Sequence, residues 1–168
     1  MITSAYLDRM ARYNRWQNAS ILGAADTLDD ASRRADRGAF FGSIHRTLSH
    51  LVWGDTAWMG RFQGRQGPGV PIAESGDWVV DWDDLSSRRQ AMDARILDWA
   101  QAATPADIEG DLTWSSGTTG REMTLPKAVC LVQFFNHHTH HRGQVHAMLT
   151  AAGARPDITD LPFMPEDA

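Results

Sequence analysis

The chain has 168 residues, of which 42% are hydrophobic and 22% charged, a composition typical of one folded domain rather than of a disordered or collagen-like chain. The 16 Lys and Arg residues and 21 Asp and Glu residues give a net charge of −5, which disfavours non-specific binding to nucleic acids and anionic membranes. The single cysteine, Cys130, excludes an internal disulfide. With no basic leader, apolar signal stretch or long apolar run, we expect one cytoplasmic domain over residues 1–168 without nucleic-acid or membrane partners.

The first half of the sequence predicts two long helices. Apolar residues recur at three- and four-residue steps from about residue 4 to 27, which indicates an amphipathic helix. A segment rich in Asp and Arg interrupts this pattern over residues 27–41. Ser43 then offers a capping oxygen for a second helix that extends to about Phe62. Glycines and prolines follow without a helical period, so we expect an extended connection from Gly64 to Trp82.

The second half predicts two more helices and a hairpin. Asp83 or Asp84 is expected to cap the third helix, which Thr104 and Pro105 end. Between Ile108 and Thr124, β-favouring residues flank a segment of serines, glycines and threonines that includes Gly117 and Thr118, which indicates a short β-hairpin.

The last helix is predicted to start at Thr124, with Pro126 in its first turn, and to end at Gly153. Four long helices in a chain of this size favour a four-helix bundle. We expect the tail, residues 155–168, to be irregular.

Histidines concentrate in the last helix, where five of the seven lie between His137 and His146. His137 and His141 are four residues apart, which places them on one face of a helix where a single metal ion can bridge them. An alternative is a polar helix face or a pair of hydrogen-bonded core imidazoles. Cys130 is interpreted as a small buried hydrophobic residue rather than a ligand.

A third ligand has to come from another element, since two imidazoles rarely hold a catalytic divalent ion alone. His50 lies midway along the second helix, on a face with small residues that leave room for an ion, whereas His45 is expected at the surface. The predicted metal site is therefore His50, His137 and His141. Candidate pocket and outer-shell residues are Gln144, Gln133, Thr47 and Trp53.

Other metal and cofactor classes fit the sequence less well. A zincin needs Glu directly after the first histidine, and His138 occupies that position. Ferritin-like sites need Glu-x-x-His pairs, which are absent from the helices concerned. No C-x-x-C-H motif or glycine-rich phosphate loop is present.

Two further groups of residues have structural interpretations. Trp16, Trp53 and Trp58 are more typical of core packing than of a substrate-binding wall. Arg142 is expected to form an ion pair with another helix or a partner subunit, and Asp55 and Asp160 are the candidates.

Three segments of the sequence carry a family resemblance. The run Asn136 to Gln144, NHHTHHRGQ, resembles the N-H-x-x-H-H-R-G-Q signature of the DinB family of DinB/YfiT-like metalloenzymes. Segments 11–18 and 48–58 are similar to the first and second helices of that family, and Thr159-Asp160-Leu161 is similar to its ending. The resemblance covers nearly the whole chain.

The resemblance implies an all-α four-helix bundle in up-down-down-up order, often homodimeric, with a triple-histidine site for Zn²⁺, Ni²⁺, or Fe or Mn ions. The family's ligands fall on His50, His137 and His141. Characterised members are mostly thiol-dependent enzymes, including transferases that use bacillithiol and isomerases that use mycothiol, and the family name comes from a damage-inducible gene.

Three functions follow as hypotheses. A divalent ion on three neutral histidines favours an anionic fourth ligand, so the first is a metal-dependent S-transferase with a low-molecular-weight thiol as cosubstrate. The second is a metal-dependent hydrolase that ionises bound water. The third is a non-catalytic metal-binding protein of the stress response. The sequence identifies no general base.

Overall fold

The computed structural model describes residues 2–117 and 119–168, so Thr118 in the predicted hairpin turn lies outside the described residues. Helices dominate the fold, and one two-stranded antiparallel sheet precedes the last long helix. The elements are α1 (Ser4–Asp26), α2 (Asp30–Arg34), α3 (Ile44–Gln63), α4 (Trp82–Gln101), α5 (Pro105–Ile108), β1 (Asp111–Ser116), β2 (Arg121–Pro126) and α6 (Lys127–Ala151), with 3₁₀ segments at Ile72–Asp77 and Leu161–Phe163.

The four long helices form the predicted bundle, and side-chain contacts establish their directions. Helices α1 and α4 are antiparallel, because Asn18 contacts Asp93 while Asp26, further along α1, contacts Trp82 at the start of α4. Helices α3 and α4 are parallel, because the contact of Asp55 with Arg89 is followed along both helices by that of Gln63 with Arg95.

Helix α6 completes the up-down-down-up order. It is antiparallel to α3, since His50 packs near His141 while Phe62, later in α3, packs against Phe134, which is earlier in α6. It is parallel to α1, because the contact of Tyr6 with Phe135 is followed by that of Asn14 with Arg142. The predicted bundle topology is therefore confirmed.

Capping residues account for most helix ends. The Ser43 side chain accepts from the backbone N–H of Arg46, as predicted. Gly64 and Gly153, with φ of 62° and 86°, adopt the left-handed conformation that ends a helix and favours glycine.

The predicted starts of two helices were wrong. Asp81, not Asp83 or Asp84, caps α4 and accepts from the N–H of Asp84. Helix α6 starts at Lys127 rather than at Thr124, because Thr124 pairs with Thr113 in the hairpin and extends β2 to Pro126.

The connections contain more helix than the sequence pattern indicates. Residues 27–41 include the short helix α2. Thr104, which was predicted to end the preceding helix, is the N-cap of the single-turn helix α5. The predicted extended connection contains the 3₁₀ segment Ile72–Asp77. These pieces are too short to show a hydrophobic period, so pattern alone misses them.

The bundle core has two apolar halves separated by buried polar side chains. One half includes Leu48 and Leu149, and the other includes Phe134 and Ile96. We call the buried polar residues between them the central polar layer, which comprises Asn14, Asn18, Asp55, Arg89, Asp93, His138 and Arg142. Within the described part of the chain, no helix has the length and apolarity needed to cross a bilayer.

Candidate metal centre

The structure brings the three predicted histidines together. His50 from α3 and both His137 and His141 from α6 present ring nitrogens that all lie within 4.8 Å of one another. The Nε2 atoms of His50 and His137 are 3.0 Å apart, close to the roughly 3.4 Å expected between two nitrogens in a tetrahedral shell with Zn–N bonds of about 2.1 Å. This group could hold a metal ion.

A glycine allows the close approach of α6 to α3 at this point. A Cβ atom on Gly54 would lie 3.0 Å from Cε1 of His137, which is closer than side chains normally pack. Gly54, one of the small residues predicted to leave room for an ion near His50, therefore makes room for the ring of His137.

Ser75 fixes the tautomer of His50. Its hydroxyl lies 2.8 Å from Nδ1 of His50 and donates to the carbonyl oxygen of Ile72 at 2.6 Å. A hydroxyl has one proton and a carbonyl cannot donate, so Ser75 Oγ must accept from Nδ1–H of His50. Nε2 of His50 is then unprotonated, and its lone pair faces the other two histidines.

Gln144 has the corresponding role for His141. Nδ1 of His141 lies 2.8 Å from the side-chain oxygen of Gln144, which accepts its proton and leaves Nε2 free to coordinate. Sequence analysis proposed Gln144 as an outer-shell residue. It did not identify Ser75, whose position in an irregular connection carries no pattern signal.

His50 and His141 are buried, His137 is half-buried, and all three imidazoles are neutral. Burial, followed by the neighbouring His141, lowers the pKa of His50 to about 4. Burial and the adjacent histidines lower the pKa of His137 to about 3, and burial also lowers the pKa of His141. Nε2 of His137 lies within hydrogen-bond distance of Nε2 of His50, which matches the alternative of hydrogen-bonded imidazoles. Neutral imidazoles this close together also suit a borderline divalent ion such as Zn²⁺ or Ni²⁺.

Aromatic rings enclose the His50 side of the site. Phe41 stacks on His50 with ring centroids 4.0 Å apart, and Trp53 lies on α3 with its centroid 6.1 Å from that of His50. Phe41 comes from the connection before α3 and was not anticipated. These rings restrict water around the ligand nitrogens and hold the His50 ring in place.

A cavity of about 570 Å³ opens beside His50 and His137. One wall is the α3 surface, a second is the connection that follows α3, and the third is β1 with its turn. The lining residues are His50, Trp53, Gly54, Ala57, Trp58, Arg61, Arg65, Gly67, Pro68, Val70, Pro71, Ile72, Trp114, Ser115, Ser116, Gly117, Gln133 and His137.

The remaining candidates have different positions. Gln133 and Trp53 line the cavity, whereas the buried hydroxyl of Thr47 donates to the backbone of Ser43 within α3. Trp53 and Trp58 are half-buried and both line the cavity. Trp58 also packs against one half of the apolar core, so the core prediction is confirmed for Trp58, whereas Trp53 forms a cavity wall. Cys130 is buried, as predicted.

Two other predictions need correction. His45, expected at the surface, is 1% exposed, and its Nε2 lies 2.8 Å from the carbonyl oxygen of Val79. Arg142 forms no ion pair with Asp55 or Asp160 among the described residues but donates to the side-chain oxygen of Asn14. The carboxylate of Asp55 on α3 contacts Arg89 and His138 instead.

That carboxylate, Asp55, is the centre of the polar layer. Its Oδ2 lies 2.5 Å from Arg89, and its Oδ1 lies 2.5 Å from Nε2 of His138. Arg89 also contacts Asp93 at 2.9 Å, and Asp93 accepts from Asn18 at 2.7 Å. The ring of His138 therefore contacts Asp55 inside the bundle, whereas its neighbour His137 belongs to the metal centre.

Comparison with known proteins agrees with this geometry. A sequence model described as the DinB family matches residues 1–168. The chain belongs to the DinB family. It is also similar to the protein named Protein DinB of Bacillus subtilis (strain 168), with 27% identity over 165 residues, which covers 94% of this chain and 92% of the relative. The resemblance inferred from the histidine run is therefore confirmed for this DinB-family chain.

Proposed function

We propose that this DinB-family protein is a divalent-metal-dependent enzyme that transfers a group to or from a low-molecular-weight thiol. The observation that supports the proposal is the convergence of three neutral imidazoles, His50, His137 and His141, at the end of a cavity large enough for a small molecule. Zn²⁺ and Ni²⁺ are the ions proposed, because borderline metals prefer imidazole ligands.

A divalent ion bound there supplies Lewis acidity that lowers the pKa of a coordinating thiol. The protein's own contribution is orientation. Ser75 and Gln144 hold the Nδ1–H groups of His50 and His141, so that both Nε2 atoms present lone pairs to one point. The Phe41 ring against His50 limits water on that side.

The proposed transfer step has a simple balance. The thiol loses its proton to solvent, and the sulfur electron pair forms a bond to an electrophilic carbon of the second substrate. The bond from that carbon to the leaving group breaks, and the leaving group departs with the electron pair. No protein base is required, because a thiol with a lowered pKa is already ionised near neutral pH.

The cavity composition restricts the hydrolytic alternative to water that the metal itself ionises. Among the described lining residues there is no Asp or Glu that could act as a general base toward water. Gln133 lines the cavity, but an amide orients a substrate rather than accepting a proton.

The test is a metal and turnover measurement on the chain without a polyhistidine tag. Metal content is determined after loading with Zn²⁺ or Ni²⁺, and consumption of an electrophile is followed with bacillithiol, with mycothiol and without thiol. We expect stoichiometric metal and turnover that requires both metal and thiol. His141→Ala should lose both, whereas His140→Ala, one residue away and exposed, should keep both.

Each contrary outcome has a defined meaning. Metal-dependent turnover without thiol would replace the proposal by a hydrolase. Bound metal without turnover under any condition would indicate a metal-binding protein without this activity. A chain that binds no metal would remove the basis of all three.

A further inference from the structure

The cavity is positively charged although the protein is acidic. Arg61 and Arg65 line it, together with two of the metal-site histidines, and no carboxylate is found in its described lining. The whole chain carries a net charge of −5. A divalent ion at the histidines would add to this local excess of positive charge, which favours an anionic occupant.

Two indole rings hold Arg61 in place. Its guanidinium carbon lies 4.6 Å from the ring centroid of Trp58 and 5.5 Å from that of Trp114. The two rings are themselves 5.7 Å apart between centroids. Stacking of this kind orients a guanidinium without using its N–H donors.

Those donors have no protein partner in the part of the chain that the structure describes. Among the described residues, Arg61 makes no hydrogen bond or ion pair, whereas Arg88, which also lies over a tryptophan, pairs with Asp84. Burial lowers the pKa of the Arg61 guanidinium. Arginine remains protonated under these conditions and can bind an anionic group with two donors.

The hairpin adds neutral donors on the same side. Ser115 and Ser116 follow Trp114 along β1 and line the cavity, with Ser116 on the same face of the strand as Trp114. Hydroxyl and guanidinium donors together are a common environment for carboxylate and phosphate groups. The hairpin therefore contributes binding groups as well as a wall.

The spacing along α3 indicates the shape of the ligand. His50 and Arg61 are 11 residues apart on one helix, which is roughly 16 Å along its axis. Between them the wall consists of Trp53, Ala57 and Trp58. A molecule that reaches both ends is extended, with an apolar middle section.

We infer that the cavity binds an elongated substrate whose reactive end lies at the three histidines and whose carboxylate or phosphate group is bound by Arg61, with Arg65 adding charge. The inference rests on the proposed function for the reactive end. The anion site itself depends only on the residues at the far end of the cavity.

The experiment measures binding of three probes to the Zn²⁺-loaded protein by calorimetry and by tryptophan fluorescence. Mercaptooctanoic acid carries both groups, mercaptooctanol carries the thiol alone, and octanoate carries the anion alone. We expect the acid to bind at least about 10-fold more tightly than the alcohol, since hydrogen bonds to charged groups are strong. In Arg61→Met that preference should fall below about 3-fold, and in Arg61→Lys it should be partly retained.

Arg88→Met is the matched control, because it removes a guanidinium stacked on Trp78 at a distance from the cavity. It should leave the preference unchanged. Circular dichroism and metal content of each variant verify folding, and Arg65→Met provides a second variant at the same end of the cavity, with a smaller expected loss.

The three probes separate the two proposals. Equal binding of acid and alcohol, unchanged in Arg61→Met, would overturn the anion site while leaving thiol binding intact. Binding of octanoate that depends on Arg61, without any contribution from the thiol, would support the anion site and contradict the proposed function. Failure of octanoate and mercaptooctanoic acid to bind would overturn the anion site.

Discussion

The metal centre and the central polar layer share helices α3 and α6, although the layer also includes residues of α1 and α4, and the two regions have opposite chemistry. In the polar layer, Asp55 is matched by Arg89 and by His138. In the metal centre, the Nε2 atoms of His50 and His137 face each other across 3.0 Å. The charged groups of the layer are paired with one another, as buried charged groups normally are, although Asn18 Oδ1, Arg89 Nε and His138 Nδ1 have no hydrogen-bond partner among the described residues. The three histidines instead converge on a point that a metal ion could occupy.

Adjacent residues make the contrast clear. His138 is fully buried next to a carboxylate, whereas His137, one position earlier, turns toward α3 and the cavity. Helical geometry separates their side chains by about 100°. The role of each histidine therefore depends on the groups that the fold places opposite its ring.

The largest expected effect is on the polar layer. Asp55→Ala removes the carboxylate and leaves the buried Arg89 charge with one acid partner, Asp93. Loss of one member of a buried ion pair costs about 3–5 kcal/mol of unfolding free energy, measured by urea denaturation of the metal-free chain. Asp84→Ala, which breaks an exposed pair with Arg88, should cost about 1 kcal/mol or less. Equal costs would contradict the structural role of the layer.

The next effect belongs to the metal centre. Free Zn²⁺ at about 100 times its Kd should raise the unfolding free energy by about 2.7 kcal/mol. His141→Ala should weaken metal binding at least 10-fold, by analogy with the loss of outer-shell residues. The increase in unfolding free energy at the same concentration of free Zn²⁺ should then fall to about 1.4 kcal/mol or less. His140→Ala should retain the full gain. An unchanged gain in His141→Ala would remove that residue from the ligand set.

Acid should remove the stabilisation that the Asp55 carboxylate provides. His138 and Arg89 lower the pKa of Asp55 from 3.8 to about 2, although burial acts in the opposite direction. Because the folded-state pKa is the lower one, this stabilisation is present above about pH 4 and is lost as the pH falls toward 2. It amounts to about 2 kcal/mol, measured as the pH dependence of unfolding. Asp55→Asn should lack this component, and an identical slope in the variant would contradict the assignment.

The smallest effect concerns the orientation of one ligand. Ser75→Ala removes the acceptor for Nδ1–H of His50, so Zn²⁺ affinity measured by chelator competition should fall about 10-fold, or about 1.4 kcal/mol. Thr47→Val removes a buried hydroxyl that bonds only within α3 among the described residues, and it should leave the affinity unchanged. If both variants behave alike, Ser75 has no specific role in orienting His50.

Local sequence signals anticipate most of the metal centre but do not predict the polar layer. Asn14 with Asn18, and Arg89 with Asp93, are pairs at four-residue spacing that place polar groups on one helix face. Such pairs are usual on exposed surfaces as well, so spacing alone does not show that they meet inside the bundle. His45 was predicted at the surface because no local spacing reveals its partner, the backbone carbonyl of Val79 in the connection between α3 and α4.

The sequence by itself determined the four long helices, the hairpin and the family, because these depend on periodicity, on capping and turn residues and on short motifs. It also placed His137, His141 and Gln144 on one helix, and it selected His50 by the small residues around it and by the family resemblance. The tertiary structure alone decided the tautomer set by Ser75 on His50, the ring of Phe41 on His50, and the arginine end of the cavity. Those features join residues from different elements through an irregular connection and a hairpin. Their relative positions follow from packing of the whole chain, which no local pattern encodes.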